Sequence, residues 1–121
     1  MIAALLSAAI LIGAPQEPAA LGNATAIRDA LDSRLTDYPS ARFRRVRVAA
    51  DGSHVCGEVN ARGPAGGYEG WKPLIIEGAQ SEVPDIQIAQ APAVAREFLT
   101  RCEARRDWRP SDYSKAIAFT D

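Results

Sequence analysis

"ARFRRVRVAADGSHVCGEVNARGPAGGYEGWKPLIIE", Ala41 to Glu77, holds three strand-like runs and two turn signals, and its reading decides the fold. From Ala41 to Ala49 the residues alternate. Phe43, Arg45 and Arg47 share one parity and Arg44, Val46 and Val48 the other, as in a half-exposed strand. Asp51-Gly52 supplies a hairpin turn, where glycine can take positive φ. His54 to Ala61 is the returning strand, and Arg62 to Gly67 is a loop with three glycines and Pro64. Tyr68 to Glu77 forms a third strand whose Leu74-Ile75-Ile76 run implies burial on both faces.

Working outward, Asn23 or Thr25 caps an amphipathic helix with Ile27, Leu31 and Leu35 at four-residue spacing, ended near Asp37-Tyr38-Pro39. On the other side Gly78-Ala79-Gln80 turns the chain, and Asp85 to Ala89 makes a short fourth strand, an edge candidate because Pro84 precedes it. Pro92 opens a second helix in which Val94, Phe98 and Cys102 recur every four residues, so its cysteine lies on the apolar face. The tail from Trp108 to Asp121 is ambiguous, with Ile117 and Phe119 pointing to a short extra strand. The expectation is a single α+β domain over 23–121: a three- to four-stranded antiparallel sheet with an N-terminal and a C-terminal helix.

Residues 1–14 are nearly all Ala, Leu and Ile without a charge, and Pro15-Gln16-Glu17-Pro18-Ala19-Ala20 then breaks the run. This is the layout of a signal peptide over residues 1–20, cut after Ala20 or Gly22, and it is too short for a membrane span. The expected location is the periplasm or the exterior, with no stable span after cleavage. Loss of residues 1–20 removes one acid, Glu17, and no base, so the mature chain is close to neutral. A dedicated nucleic-acid binder is normally basic, so none is expected as partner. Two cysteines in an oxidising compartment pair, and Cys56–Cys102 is the one intrachain possibility.

The chemistry-bearing residues are sparse. His54 is the sole histidine, and the acids show no ligand spacing, so neither a metal nor a cofactor is implied. Gly63, Gly66 and Gly67 lack the lysine and the Ser/Thr of a phosphate loop. Along the second strand, His54, Glu58 and Asn60 share a face with Cys56, while Val55, Gly57 and Val59 share the other. A cysteine aimed at a helix with polar parity mates needs an explanation. Either Gly57 marks a bulge that resets the register, the favoured reading, or both faces are covered and Glu58 is a half-buried, hydrogen-bonded carboxylate.

The segments "TDYPSARFRRVRV" and "VCGEVNARGPAGGYEGWKP" together resemble a family of small exported proteobacterial proteins of unknown function. The shared pattern falls on Ser40, Ala41, Phe43 and Arg44, then on Cys56, Gly57, Val59, Asn60, Ala61, Gly66, Gly67, Tyr68, Gly70 and Trp71. The resemblance covers about a third of the chain, roughly residues 36 to 76, and implies export and architecture but no activity. Tyr38-Pro39, Gly63 and Leu74 depart from the pattern.

The leading expectation is a non-catalytic envelope protein that binds a partner protein or a small ligand through Asn60, Arg62, Tyr68, Glu69 and Trp71. A second is a small hydrolase or lyase using Glu58 with His54 or Tyr68. A third is a structural module whose arginine strand, Arg45 and Arg47 above all, contacts an anionic envelope polymer.

Overall fold

A computed structural model describes residues 21–120, and the proposed signal peptide lies outside them. The described chain runs α1 (Ala24–Arg34), a 3₁₀ turn (Tyr38–Ser40), β1 (Arg42–Val48), β2 (His54–Arg62), β3 (Tyr68–Glu77), β4 (Asp85–Ile88), α2 (Pro92–Ala104) and α3 (Ser114–Ile117). The strands form one antiparallel sheet in the order β1-β2-β3-β4, so the α+β expectation and its fourth strand hold.

Helix α1 begins where Asn23 Oδ1 accepts a hydrogen bond from the Ala26 amide at 3.1 Å, satisfying one of the helix's unpaired donors. It buries Ile27 and Leu31 against the sheet. The Arg34 guanidinium donates to the Ile86 carbonyl, and Arg28 to the Ala116 carbonyl at 2.9 Å, which ties α1 to β4 and α3. Leu21, 2% exposed, extends the packing in front of the helix.

The two sheet faces are covered differently. One packs Val46, Val48, Val55, Val59, Leu74, Ile76 and Ile86 beneath α1 and α3. The other packs Cys56 and Ile75 with Ala89, Phe98 and Cys102 beneath α2. The apolar run 74–76 is thus buried on both faces, as its composition implies. Cys56 and Cys102 are bonded, with Cα atoms 6.2 Å apart.

Four sequence expectations are corrected. The register shift is in β1, not at Gly57. Arg44 pairs with Glu58 and Arg47 with Cys56, so β1 takes three steps to two on β2, while Gly57 stays in register with Leu74. Gly57 is the residue the bulge presses on: a Cβ there would meet Val46 Cγ2 at 2.9 Å and Val46 Cα at 3.2 Å. The β1 parity changes accordingly. Val46 and Val48 face the larger core with Phe43 behind them, and Arg47 turns to the α2 side with Arg44. In α2, Val94 does not join Phe98 and Cys102 but is 38% exposed, because the cluster under α2 is small and ends at Ala95.

The fourth correction concerns the tail, which forms no strand. Trp108 makes one bridge to Ala49, the Arg109 and Tyr113 amides donate to the Val48 and Val46 carbonyls, and the chain then coils into α3. Asp112 Oδ1 accepts from the Ser114 amide at 2.8 Å, a local turn that starts the coil, and Ile117 inserts fully into the core. Half of the β1 edge is thereby capped.

Arg45, at the bulge, has φ of 53°, a left-handed conformation that a side chain makes costly. Arg45→Gly is therefore expected to leave the thermal midpoint unchanged or raised. Arg45→Val, β-branched, is expected to cost about 1 kcal/mol in denaturant titrations.

Tyr38 is buried, its hydroxyl donates to the Ile117 carbonyl, and its ring meets Phe43 and Phe119 edge-on. Burial disfavours the phenolate and pushes its pKa up to about 12. Among the described residues no helix is long and apolar enough to cross a membrane.

Candidate functional site

Helix α2 covers only part of its sheet face. The rest of that face, toward the β1 start and the Arg62–Tyr68 end, carries arginines and aromatic rings. A second bulge produces this arrangement: Asn60 pairs with Trp71 and Arg62 with Tyr68, three steps on β3 against two on β2. Gly70, at φ of 97°, takes up the extra residue. Strict alternation would put Tyr68 and Trp71 on opposite faces. The bulge puts them on the same one.

The arginines lie on the rings. Arg42 and Arg62 sit 4.5 and 5.1 Å from the Tyr68 centroid, and Arg44 sits 4.1 Å from that of Trp71. Further along, Arg47 and Arg105 approach Trp108 at 5.0 and 5.9 Å. A stacked guanidinium is held by the ring quadrupole while its N–H edge stays open to an acceptor. Arg44 uses that edge on Glu58, its Nε donating to Oε1 at 2.9 Å, and Arg45 approaches the same oxygen at 3.5 Å. Glu58 is thus half-buried and hydrogen-bonded, the other of the two sequence alternatives. Arg42, Arg47 and Arg62 have no carboxylate partner among the described residues.

The sequence-derived candidates divide. Arg62, Tyr68, Asn60 and Trp71 come together on the open face. Asn60 is committed to structure there, since its Oδ1 accepts from the Gly70 amide at 3.0 Å and fastens the bulge. Tyr68 donates to the Ser40 carbonyl at 2.8 Å, which locks its ring as a platform. Glu69 lies apart, against Gly63, and takes the Lys72 ammonium at 3.1 Å. Sequence reasoning overlooked Arg42 and Arg44 as ring partners. Their signal was the arginine run at 42–47 opposite Asn60 and Glu58, but the bulges had to be known to align it with the rings.

The hydrogen bond from Arg62 and the nearby charge of Arg42 lower the Tyr68 pKa below the ordinary phenol value, opposite to Tyr38. In an alkaline titration followed by phenolate absorbance, Tyr68 is expected to ionise before Tyr38, with Tyr68→Phe and Tyr38→Phe assigning the steps. The Tyr38 contribution to stability is complete below the free phenol value of 10.0 and lost as pH rises through about 12. Reversal of the two steps would contradict this placement.

For catalysis, His54 Nδ1 is bonded to Ser53 Oγ at 2.8 Å, and its strand partner is Glu77. Four residues of strand, about 13 Å, separate it from Glu58. Among the described residues none of His54, Glu58 and Tyr68 is a hydrogen-bond partner of another, and no cluster of three His, Cys, Asp or Glu side chains is placed to hold a metal. A scan of family models, a search of curated proteins and a search of solved structures find no match to this chain.

Proposed function

We propose that the protein is an exported, non-catalytic binding module whose partner is an anionic component of the cell envelope. The open arginine–aromatic face is its contact surface. The observation that carries this reading is the pair Arg42 and Arg62 on one locked Tyr68 ring, without a carboxylate of their own among the described residues. Guanidinium edges held this way are preorganised for carboxylate or phosphate oxygens, and stacking reduces the side-chain entropy lost on binding. Trp71 under Arg44 extends the surface with an apolar ring. Export is supported by the apolar start of the chain followed by its Pro/Ala segment, and by the disulfide.

The experiment is binding of the oxidised protein to fluorescently labelled polyphosphate and polyglutamate across a salt series. Affinity is expected to fall steeply with salt, and Arg42→Gln/Arg62→Gln to weaken it about tenfold at low salt and flatten that dependence. Tyr68→Ala with Trp71→Ala should weaken it as well, by releasing the stacked arginines. Salt-independent binding, or wild-type affinity in a folded Arg42→Gln/Arg62→Gln variant, overturns the proposal.

A further inference from the structure

Beside the open face, where α2 approaches β1, lies a cleft of about 610 Å³. Its floor is the Cys56–Cys102 disulfide with Gly57 and Pro73, and Leu99 of α2 forms an apolar wall. Leu99 is 46% exposed, a large aliphatic side chain turned to this space and not to either core. Arg45 and Arg47 enter from β1. This volume falls within the usual range for small-ligand pockets, which are mainly apolar with a few placed polar groups.

The charges lining the cleft are unequally occupied. Asp112 is engaged by the Ser114 amide and hydroxyl, which hold its carboxyl below the ordinary aspartate range. Glu58 is engaged by Arg44 and Arg45. Arg47 is stacked on Trp108, half-buried, and has no carboxylate partner among the described residues. Arg45 is held over the cleft by a strained bulge, a feature that tends to aim side chains at functional sites. Glu103, exposed on α2, and Arg109 also line the cleft, so its cationic character is confined to the β1 side, where Arg45 and Arg47 stand beside the apolar floor.

We propose that this cleft binds a small amphiphile with an anionic head, the head on Arg47 and Arg45 and the alkyl chain over the disulfide and Leu99. The site adjoins the Tyr68–Trp71 surface through Glu58 and Arg44 but uses different cations, Arg47 and Arg45 in place of Arg42 and Arg62. Carboxylate and phosphate heads present the same oxygen chemistry to a guanidinium, so either a fatty acid or an alkyl phosphate satisfies the geometry.

The test uses the oxidised chain carrying Trp71→Phe, which leaves Trp108 as the only one of the two tryptophans. Its fluorescence is followed on titration with decanoate, dodecyl phosphate, neutral decyl maltoside and butyrate, all below micelle-forming concentrations. Saturable binding of decanoate, dodecyl phosphate or both is expected, and which one binds identifies the head group. Decyl maltoside and butyrate should each bind at least about tenfold more weakly, lacking the charge or most of the chain. Arg47→Gln is expected to weaken binding about tenfold. Because Arg47 also packs on Trp108, Leu99→Ser, at an exposed position, provides a second variant whose folding is not in question, and it too should weaken binding. Arg42→Gln/Arg62→Gln should leave it unchanged, which separates this site from the polyanion surface. Equal affinity for decyl maltoside, no saturable signal with any anionic amphiphile, or unchanged affinity in Leu99→Ser overturns the proposal.

Discussion

Replacing both cysteines, Cys56→Ala/Cys102→Ala, is expected to lower the unfolding free energy by about 4 kcal/mol, read from denaturant unfolding with the slope fitted separately for each protein, since the unbridged unfolded chain exposes more surface. The bond joins residues 46 apart in sequence, and chain entropy released to the unfolded state on opening a loop of that length is about this large. Against a total of about 5–15 kcal/mol for a domain of this size, the loss is severe. The packing beneath α2 is small. Among the described residues the buried cluster under α2 comprises Cys56, Ile75, Ala89, Phe98 and Cys102, and two of these five are the bridge itself. The core under α1 and α3 does not touch α2's face, so hydrogen exchange should show the α2 amides losing protection first. A double variant within about 1 kcal/mol of wild type would mean that α2 is held by other contacts.

The second large effect is expected at Gly57. Gly57→Ala should destabilise by about 1–3 kcal/mol, since the new methyl meets Val46 both at its fully buried Cγ2 and at its backbone. Val46 cannot move aside, because it sits on the bulge with its carbonyl taken by the Tyr113 amide. Gly57 is thus required by close approach between strands, its φ not being unusual. The crowding can be tested by a double-mutant cycle. Val46→Ala alone leaves a cavity, but Gly57→Ala/Val46→Ala should be less destabilised than the sum of the singles, because the Cγ2 clash is gone. Strict additivity would place the cost of the methyl elsewhere.

Most of the fold was legible in local pattern. Asn23 as cap, the Asp51-Gly52 hairpin, Pro92 at a helix start and the 74–76 run all act through nearest neighbours or through burial that composition reveals. The disulfide followed from counting, since two cysteines permit one pairing. The tail was not legible, because Ile117 and Phe119 fit a strand as well as a coil docked by one buried side chain. Nor was the fate of Val94, which shares spacing with Phe98 but lies beyond the end of a small cluster.

The candidate site was less legible still, and the reason is parity. A single residue inserted in β1 exchanges the faces of Arg45–Val48, and another in β3 brings Tyr68 to the side of Trp71. Side-chain alternation is strict only while the register is kept, so each bulge inverts every inference drawn across it. Gly57 pointed to the wrong strand, since it accommodates its neighbour's bulge instead of forming one, and the β3 bulge at Gly70 was not foreseen.

By itself, then, the sequence determined the elements through α2, their order, the bridge and the roster of arginines and rings, because those depend on local propensity, hydrophobic period and composition. Only the tertiary structure decided which rings the arginines lie on, that Glu58 is occupied by Arg44, and that a cleft opens over the disulfide. Those outcomes hinge on where two strands each absorb one extra residue, and that is settled by packing between strands and not within them.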